Sequence, residues 1–577
     1  MHEDLKILQE RIRAARREIP ADLVLKRARV LNVFSGGIQE NDVALHRGLI
    51  VGLGPDYQGN QEVELRGKWV APGLIDGHLH IESSMLSPAN LADALLPHGT
   101  TAIVSDPHEI ANVMGIEGIR LMIRESRGLP MDIFFMAPSC VPSTDLETSG
   151  AEINAADLAK LRGEPKILGL AEMMNFPGVL TGTEAVLEKL LLFQDEIIDG
   201  HAPGLRGYDL QAYLTAGVRS DHEAVDQWEA EEKLNNGMLL MIREGTSAKN
   251  LKDLLPALTE RNIRQVCLVS DDLHPGDISK RGHLDFVLKK AMNLGLDPLD
   301  ALQAVTLNPA RFFGLKDRGA VAPGFRADLI VLDDLDQFKI KSVYKDGRLV
   351  VRDGELLEPI GGRRQTPKPP AIELPSLRRE SFHIHAEGKK ARIIELIPGQ
   401  ILTRSLHETV KIEDDRVVTD VEKDILRLAV VERHKSTGRI GLGLVRGFGL
   451  KAGALASSVA HDSHNIIAVG VRASDLYEAV RALMAMGGGM VAAREGVVLA
   501  EVPLEVAGIM SNSPLDDLTH QLEAVNRAAE SLGCRIPEPF MSLSFLALPV
   551  IPDLKLTDRG LVDVKNFQKV PLFLDES

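Results

Sequence analysis

The sequence predicts an α/β fold: a (β/α)8 TIM-type barrel with a small split β-sandwich domain and a C-terminal α+β domain. Three observations predict it. Eight apolar runs alternate with helical patterns across residues 71–315, the two flanks of that stretch share a texture of short β runs and turns, and ionisable residues recur where the apolar runs end.

Leu5, Leu8, Ile12 and Ala15 recur at helical spacing, so residues 3–18 read as an amphipathic helix with a packing role. Residues 22–70 then alternate β-rich runs with turns, as in DLVLKRARVLNVFSGG and ALHRGLIVGLG, which suits a small antiparallel unit. The same texture returns over 319–357. One small β domain built from 1–70 and 316–358 is therefore expected, with the middle of the chain inserted into it.

That middle, residues 71–315, is 245 residues long, close to the roughly 250 typical of a (β/α)8 barrel. Its strand candidates are WVAPGLIDGHLH, TTAIVSDPHE, DIFFMAPSC, KILGLAE, EIIDGH, GVRSDHE, GMLLMIREG and RQVCLVSDD, separated by helical patterns such as TEAVLEKLLLFQ and KNLKDLLPALTERN. Residues 359–380 carry five prolines and no apolar period, which marks a linker. From 381 to 577, β-like runs such as RIGLGLVRGFGL mix with helical ones such as LDDLTHQLEAVNRAAESL, as an α+β domain requires.

Composition narrows the function. The 577 residues are 44% hydrophobic and 26% charged, with a formal charge of -16. That charge repels phosphate backbones, so nucleic acid is not an expected partner and a small-molecule substrate is. No apolar run reaches the roughly 18 residues of a membrane span, and the acidic start lacks the apolar core of a signal peptide, so no membrane association and a cytoplasmic location are expected. Cys140, Cys267 and Cys534 stand far apart, without a CxxC pair, and suit small buried apolar roles.

The chemistry is carried by the strand ends. His78 and His80, two residues apart on one strand, point to the same side and can present two imidazoles to one point. An isolated HxH is more often accidental. Here, however, Asp106 and His108, Glu172, His201, His222 and Asp271 end later runs, at the rim where barrels of this class build their active sites. Four imidazoles and two carboxylates match a pair of divalent cations, which makes the barrel a metal-dependent hydrolase.

On these residues the chain resembles the amidohydrolase superfamily over about residues 22–357. The superfamily signature of HxH, a bridging acid or modified lysine, two further histidines and a final aspartate falls on His78, His80, Glu172, His201, His222 and Asp271. Lys166 also competes for the bridge, because many members use a carbamylated lysine. Lys166 begins its run and Glu172 ends it, so strand polarity selects Glu172.

DPHE, with Asp106, His108 and Glu109, together with HIESSM, AEMMNFPG, RGFGLKAGALASSVAHDSHNIIAVG and MGGGM, is more specific still. These resemble the bacterial adenine deaminases, over nearly the whole chain. The resemblance implies hydrolytic deamination of adenine to hypoxanthine and ammonia in purine salvage, by a homo-oligomer, expected to be a dimer. It implies manganese or iron as the two cations, with zinc also compatible with nitrogen and oxygen ligands.

In that chemistry two cations lower the pKa of a shared water, and hydroxide attacks C6 of the base. Asp271 is expected both to ligate and to carry the proton to the leaving amino group. Glu109, His108 and Glu223 are the candidates for protonating N1. Ser83 and Arg243 are candidate substrate contacts, although an internal ion pair of Arg243 with Glu244 explains that residue equally well. His461, Asp462 and His464 form the densest polar group of the third domain and, with Asp106, are candidates for additional site residues; a polar turn is the bland alternative.

His383 and His385 repeat the HxH spacing but alternate with Phe382 and Ile384, as in an edge strand, and Gly487, Gly488 and Gly489 lack the lysine or serine of a phosphate loop. Both are set aside. The rival activity is cyclic amide hydrolysis of the dihydroorotase or hydantoinase kind on the same two cations, which a lysine bridge and a cationic clamp for a carboxylate would have favoured. A non-catalytic scaffold of the same fold is the rival from another class, and the complete ligand set speaks against it.

Overall fold

Eight parallel strands close into a barrel in the computed structural model, which describes residues 2–246, 248–361, 372–398 and 400–574; of the expected linker, residues 362–371 lie outside the described residues. The strands are Leu74–Leu79, Thr100–Ser105, Asp132–Ala137, Ile167–Met173, Ile197–Gly200, Ser220–Asp221, Leu239–Arg243 and Val266–Val269. The first five pair in chain order, as do the last three. Two seams complete the ring. The Arg219 amide donates to the Ile198 carbonyl at 3.1 Å, and the Asp271 amide donates to the His78 carbonyl at 3.0 Å.

The strands read as continuous apolar runs because both of their faces are buried. Phe134 and Met136 point into the barrel core with Ala102, Val104, Ala171 and Met241. Their neighbours Ile133 and Phe135 point outward, with Ile103, Leu170 and Leu240, against the surrounding helices. Glycine is required where strand backbones crowd: a Cβ on Gly200 would lie 2.1 Å from the Ser220 carbonyl oxygen.

Residues 21–72 and 329–356 form one nine-stranded sheet. It is mixed rather than purely antiparallel, which corrects the sequence expectation. The long strand Ala21–Asn32 is antiparallel to Gly37–His46 on one edge, while Gly59–Glu64 and then Trp69–Pro72 lie parallel along its other edge. Its core joins Leu23, Leu25, Val30, Val43 and Ile50 to Leu329, Val331 and Tyr344 from the far side of the barrel sequence. The N-terminal helix spans His2–Ala15, shorter than expected, and its stripe of Leu5, Leu8 and Ile12 is about half exposed. Its end packs through Ala14 against Ala21, Val24, Ala44 and Val51, and Glu10 and Arg11 meet Arg47.

The C-terminal region is built on an eight-stranded sheet. Helix Ala473–Met486 covers one face through Leu476, Val480 and Leu483. Gly487, Gly488 and Gly489, all at positive φ, turn the chain from this helix into strand Gly489–Arg494. The other face, with Leu428, Val430, Leu455 and Ile467, shares a core with helix Leu515–Ser531 and the barrel. Backbone bonds from Ser511 to Met85 at 2.7 Å and from Ser87 to Ser511 at 3.1 Å, and bonds from Thr148 to Asp558 at 2.8 and 2.6 Å, fasten this region over the barrel mouth.

Candidate metal centre and active site

Glu172 lies between two pairs of histidines. Its Oε1 is 3.4 Å from His80 Nε2 and 3.7 Å from His108 Nδ1, while its Oε2 is 2.6 Å from His201 Nδ1 and 3.3 Å from His222 Nε2. Asp271 Oδ1 is 3.2 Å from His80 Nε2 and 3.6 Å from His78 Nε2. The His78 and His222 rings stack at 4.1 Å. The six residues on which the signature falls come from the C-terminal ends of five strands and meet here, and His108 joins them from the end of a sixth. Lys166 lies at the opposite end, 3.4 Å from Asp132, which opens the third strand.

The donors fit divalent cations. His80 Nδ1 lies 3.1 Å from the carbonyl oxygen of Asp106 and His78 Nδ1 lies 3.2 Å from Asp199 Oδ2. Both partners only accept, so each Nδ1 carries hydrogen and each Nε2 lone pair is turned to the centre, the arrangement in which second-shell acceptors orient ligating histidines. His78 Nε2 is buried and has no hydrogen-bond partner among the described residues, an orphan that a cation would satisfy. Electrostatics agrees. Burial works against charge on His80, but Asp271, Asp272 and Glu172 outweigh it and push the imidazole up to about 10. Burial likewise opposes charge on Glu172, and His222 and His201 overcome it, holding the carboxyl well below its usual range. Protons and cations compete for such donors.

The remaining sequence candidates divide. Arg243 does not pair with Glu244, which binds Lys290; it grips both oxygens of Glu223 and donates to Asp271 Oδ2 at 2.9 Å. Glu223 is thereby spent on the guanidinium. Asp106 and His108 pair at 3.1 Å, and His108 Nε2 lies 3.6 Å from Glu109. Glu109 itself meets the third domain: Oε1 pairs with His461 Nδ1, and Oε2 lies 2.5 Å from His464 Nε2. Asp462 turns to the other side, toward Ser143 and Glu147, where burial pushes it up to about 6. Ser83 Oγ donates to Asp272 Oδ1 at 2.5 Å. His383 and His385 lie outside the centre, the latter exposed on a short strand paired with Arg416 and Val417.

Three residues escaped the sequence reading. Asp199 was passed over although it lies within EIIDGH; as the residue before a glycine it gives no local sign that it orients His78. Asp272 follows Asp271 and closes the gap to Ser83. Glu82, in HIESSM, accepts from the Ile110 amide at 3.1 Å through Oε1, while its buried Oε2 has no partner among the described residues, and burial pushes the carboxyl up to about 7. Glu82, Ser83, Glu109, Asp272 and His461 line a pocket together with apolar residues of the third domain. Its alternation of polar and apolar walls suits a small organic ligand.

Comparison with known proteins matches residues 69–350 to the amidohydrolase family and residues 400–568 to the adenine deaminase C-terminal domain. An adenine deaminase of Desulfatibacillum aliphaticivorans is 50% identical over 97% of this chain and 99% of its own. One from Dehalococcoides mccartyi is 47% identical over 98% and 99%, and adenine deaminase 2 of Carboxydothermus hydrogenoformans is 47% identical over 99% and 100%. Among solved structures, a β-aspartyl dipeptidase of Fervidobacterium islandicum aligns over 58% of this chain and 98% of its own, at 18% identity and a TM-score of 0.45.

Proposed function

This chain belongs to the adenine deaminase family of amidohydrolases, and from that premise we propose how its residues share the exchange of the adenine amino group for oxygen. It is a metal-dependent hydrolase that converts adenine and water to hypoxanthine and ammonia. His78, His80 and Asp271 would hold one divalent cation, His201 and His222 the other, with Glu172 between them. When bound, such a pair supplies a Lewis-acid centre that makes a nucleophile of water at neutral pH. Nitrogen and oxygen donors without sulfur suit manganese or iron, our first assignment, and also zinc.

Asp271 is positioned by Arg243 through Oδ2, which leaves Oδ1 toward the centre. In this role it takes a proton from water and delivers it to the departing amino group. Ring N1 needs a hydrogen-bond donor as charge develops on it. Glu109 and Glu223, both candidates by sequence, have their oxygens engaged by histidines and by Arg243, and His108 is tied to Asp106. Among the described residues Glu82 Oε2 has no partner, beside the pocket, so we assign N1 to Glu82.

The described residues lining the pocket include no lysine or arginine. An uncharged base suits this lining, in which Glu82, Glu109 and Asp272 face His274, His461 and His464. Among the described residues no helix is long and apolar enough to cross a membrane, and we place the enzyme in the cytoplasm. The exposed Tyr208 and Trp228 offer apolar surface for a second copy in the dimer we propose.

The observation that carries this reading is the Glu172 carboxylate flanked by histidines from four other strand ends. The test is ammonia release from adenine by protein reconstituted with manganese, iron or zinc, run beside ring opening of hydantoin and dihydroorotate. Adenine should be the substrate consumed. Ring opening without deamination would replace the reading with cyclic amide hydrolysis, and inactivity with all three metals would leave a scaffold.

A further inference from the structure

The pocket at the barrel mouth has two walls of different origin. Glu82, Ser83, Glu109 and Asp272 come from the barrel, while His461, Phe545, Val459, Met490, Ile509 and Phe540 come from the third domain. His461 is the histidine of the second wall that keeps a ring nitrogen for a ligand; His464 has both of its own engaged. Its Nδ1 pairs with Glu109, and its ring stacks on Phe545 at 4.8 Å and 18°. Among the described residues Nε2 has no hydrogen-bond partner, so the ring is oriented with one nitrogen spent and the other left for the pocket.

Glu109, His461 and His464 lie close enough together to hold a cation, yet the tautomer of His464 opposes it. The Ala460 amide donates to His464 Nδ1 at 3.2 Å, so Nδ1 is an acceptor and the ring proton sits on Nε2. That proton faces Glu109 Oε2 at 2.5 Å. A cation on Nε2 would displace it and force hydrogen onto Nδ1, against the amide. The three side chains are instead a hydrogen-bonded brace in which a barrel carboxylate fixes two histidines of the other domain.

We propose that His461 is a substrate-contacting residue, and that its Nε2 hydrogen-bonds a ring nitrogen of the purine on the edge remote from C6. This rests on the reading of the enzyme as an adenine deaminase. The pocket adjoins the centre through Asp272, next to Asp271, and through Glu109, 3.6 Å from His108, so a base with C6 at the centre would turn its far edge to the wall that carries His461. Burial disfavours charge on this imidazole, but Glu109 outweighs it and raises it to about 9, so at neutral pH the ring donates to a nitrogen lone pair. The third domain thus completes the base site, and the flat face of Phe545 sets the angle of the ring that reads it.

Full-length, manganese-loaded enzyme tests the proposal, with adenine and its 3-deaza, 7-deaza and 9-deaza analogues as substrates for wild type, His461→Ala and His461→Gln. His461→Ala should keep the wild-type metal content and lose roughly 10- to 100-fold in kcat/KM on adenine, the loss expected for one hydrogen bond with a charged partner. On the analogue that lacks the contacted nitrogen, wild type should already show that loss and His461→Ala should add nothing to it, the non-additivity expected of a direct contact. His461→Gln, which keeps an amide donor, should recover part of the activity. An equal fold loss on all four substrates, no loss on adenine, or a third metal equivalent that His461→Ala releases would each overturn the proposal. A wild-type enzyme inactive on adenine would overturn the underlying reading instead.

Discussion

Replacing Asp199 should loosen the metal centre without touching a ligand. His78 Nδ1 and Asp199 Oδ2 lie 3.2 Å apart with both side chains almost fully buried, so water cannot take over the lost contact. A hydrogen bond to a charged group contributes about 1.5–3 kcal/mol, and at about 1.4 kcal/mol per tenfold its loss weakens cation binding by roughly 10- to 150-fold. The independent expectation for partners of ligating histidines is about 10- to 100-fold. Activity of Asp199→Ala titrated against buffered free manganese should therefore reach its midpoint at roughly 10- to 100-fold higher metal, with kcat at saturation within a few-fold of wild type. Asp199→Asn, which retains an acceptor oxygen, should fall between. If the midpoint does not move, or if excess metal fails to restore turnover, Asp199 does not act by orienting His78.

Arg243→Met should move the acid limb of the kcat/KM profile upward. Burial works against charge on Asp271, and His78, His80 and Arg243 overcome it to hold the carboxyl well below its usual range. Loss of the guanidinium raises that pKa, and activity that needs the carboxylate then disappears at higher pH as pH falls, by about 1–3 units; superimposable profiles from pH 5 to 9 would reject this. Lys233 is fully buried and donates to Asp221, Glu229 and the Ala202 carbonyl. Lys233→Met leaves two buried carboxylates without their cation, so it should cost about 3–5 kcal/mol, seen as a lower denaturant midpoint, and it should release metal because Asp221 also fixes the loop carrying His201. Wild-type stability and metal content in that variant would exclude the brace. Glu82→Gln keeps the oxygen that accepts from Ile110 but removes the acidic proton, so kcat should fall roughly 10²- to 10⁴-fold with metal content unchanged; turnover within a few-fold of wild type would take N1 away from Glu82.

The barrel was legible because its strands are buried on both faces and its ligands sit at fixed positions relative to them. Periodicity located each of the eight runs, and strand polarity separated Glu172 from Lys166, which now lies at the opposite end beside Asp132. The mixed order of the first sheet was less legible: Gly59–Glu64 and Trp69–Pro72 return to the same edge of Ala21–Asn32, a choice made by the turns between them rather than by alternation within the strands. The N-terminal helix shows the opposite error. Its stripe has the spacing of a buried face, yet Leu5, Leu8 and Ile12 stay half exposed, because periodicity reports a face and not what covers it.

The roles of the carboxylates were the hardest to read, since a carboxylate is defined by what takes up its oxygens. Asp271, Glu223, Glu109 and Glu82 all belong to the barrel mouth, and composition cannot rank them as acids. Geometry does, by elimination: Arg243 occupies Glu223, two histidines more than 350 residues away occupy Glu109, and among the described residues Glu82 alone of these four retains a buried oxygen without a partner. DPHE and HDSHN each suggest chemistry when read separately, and each resolves only when Glu109 is seen between His461 and His464. A bond that spans the two domains is invisible to any local pattern, yet it decides which barrel carboxylate is free to act and which surface of the third domain meets the base. The C-terminal domain is thereby part of the site, and a barrel deprived of it would keep its metal ligands while losing the orientation of Glu109 and one wall of the pocket.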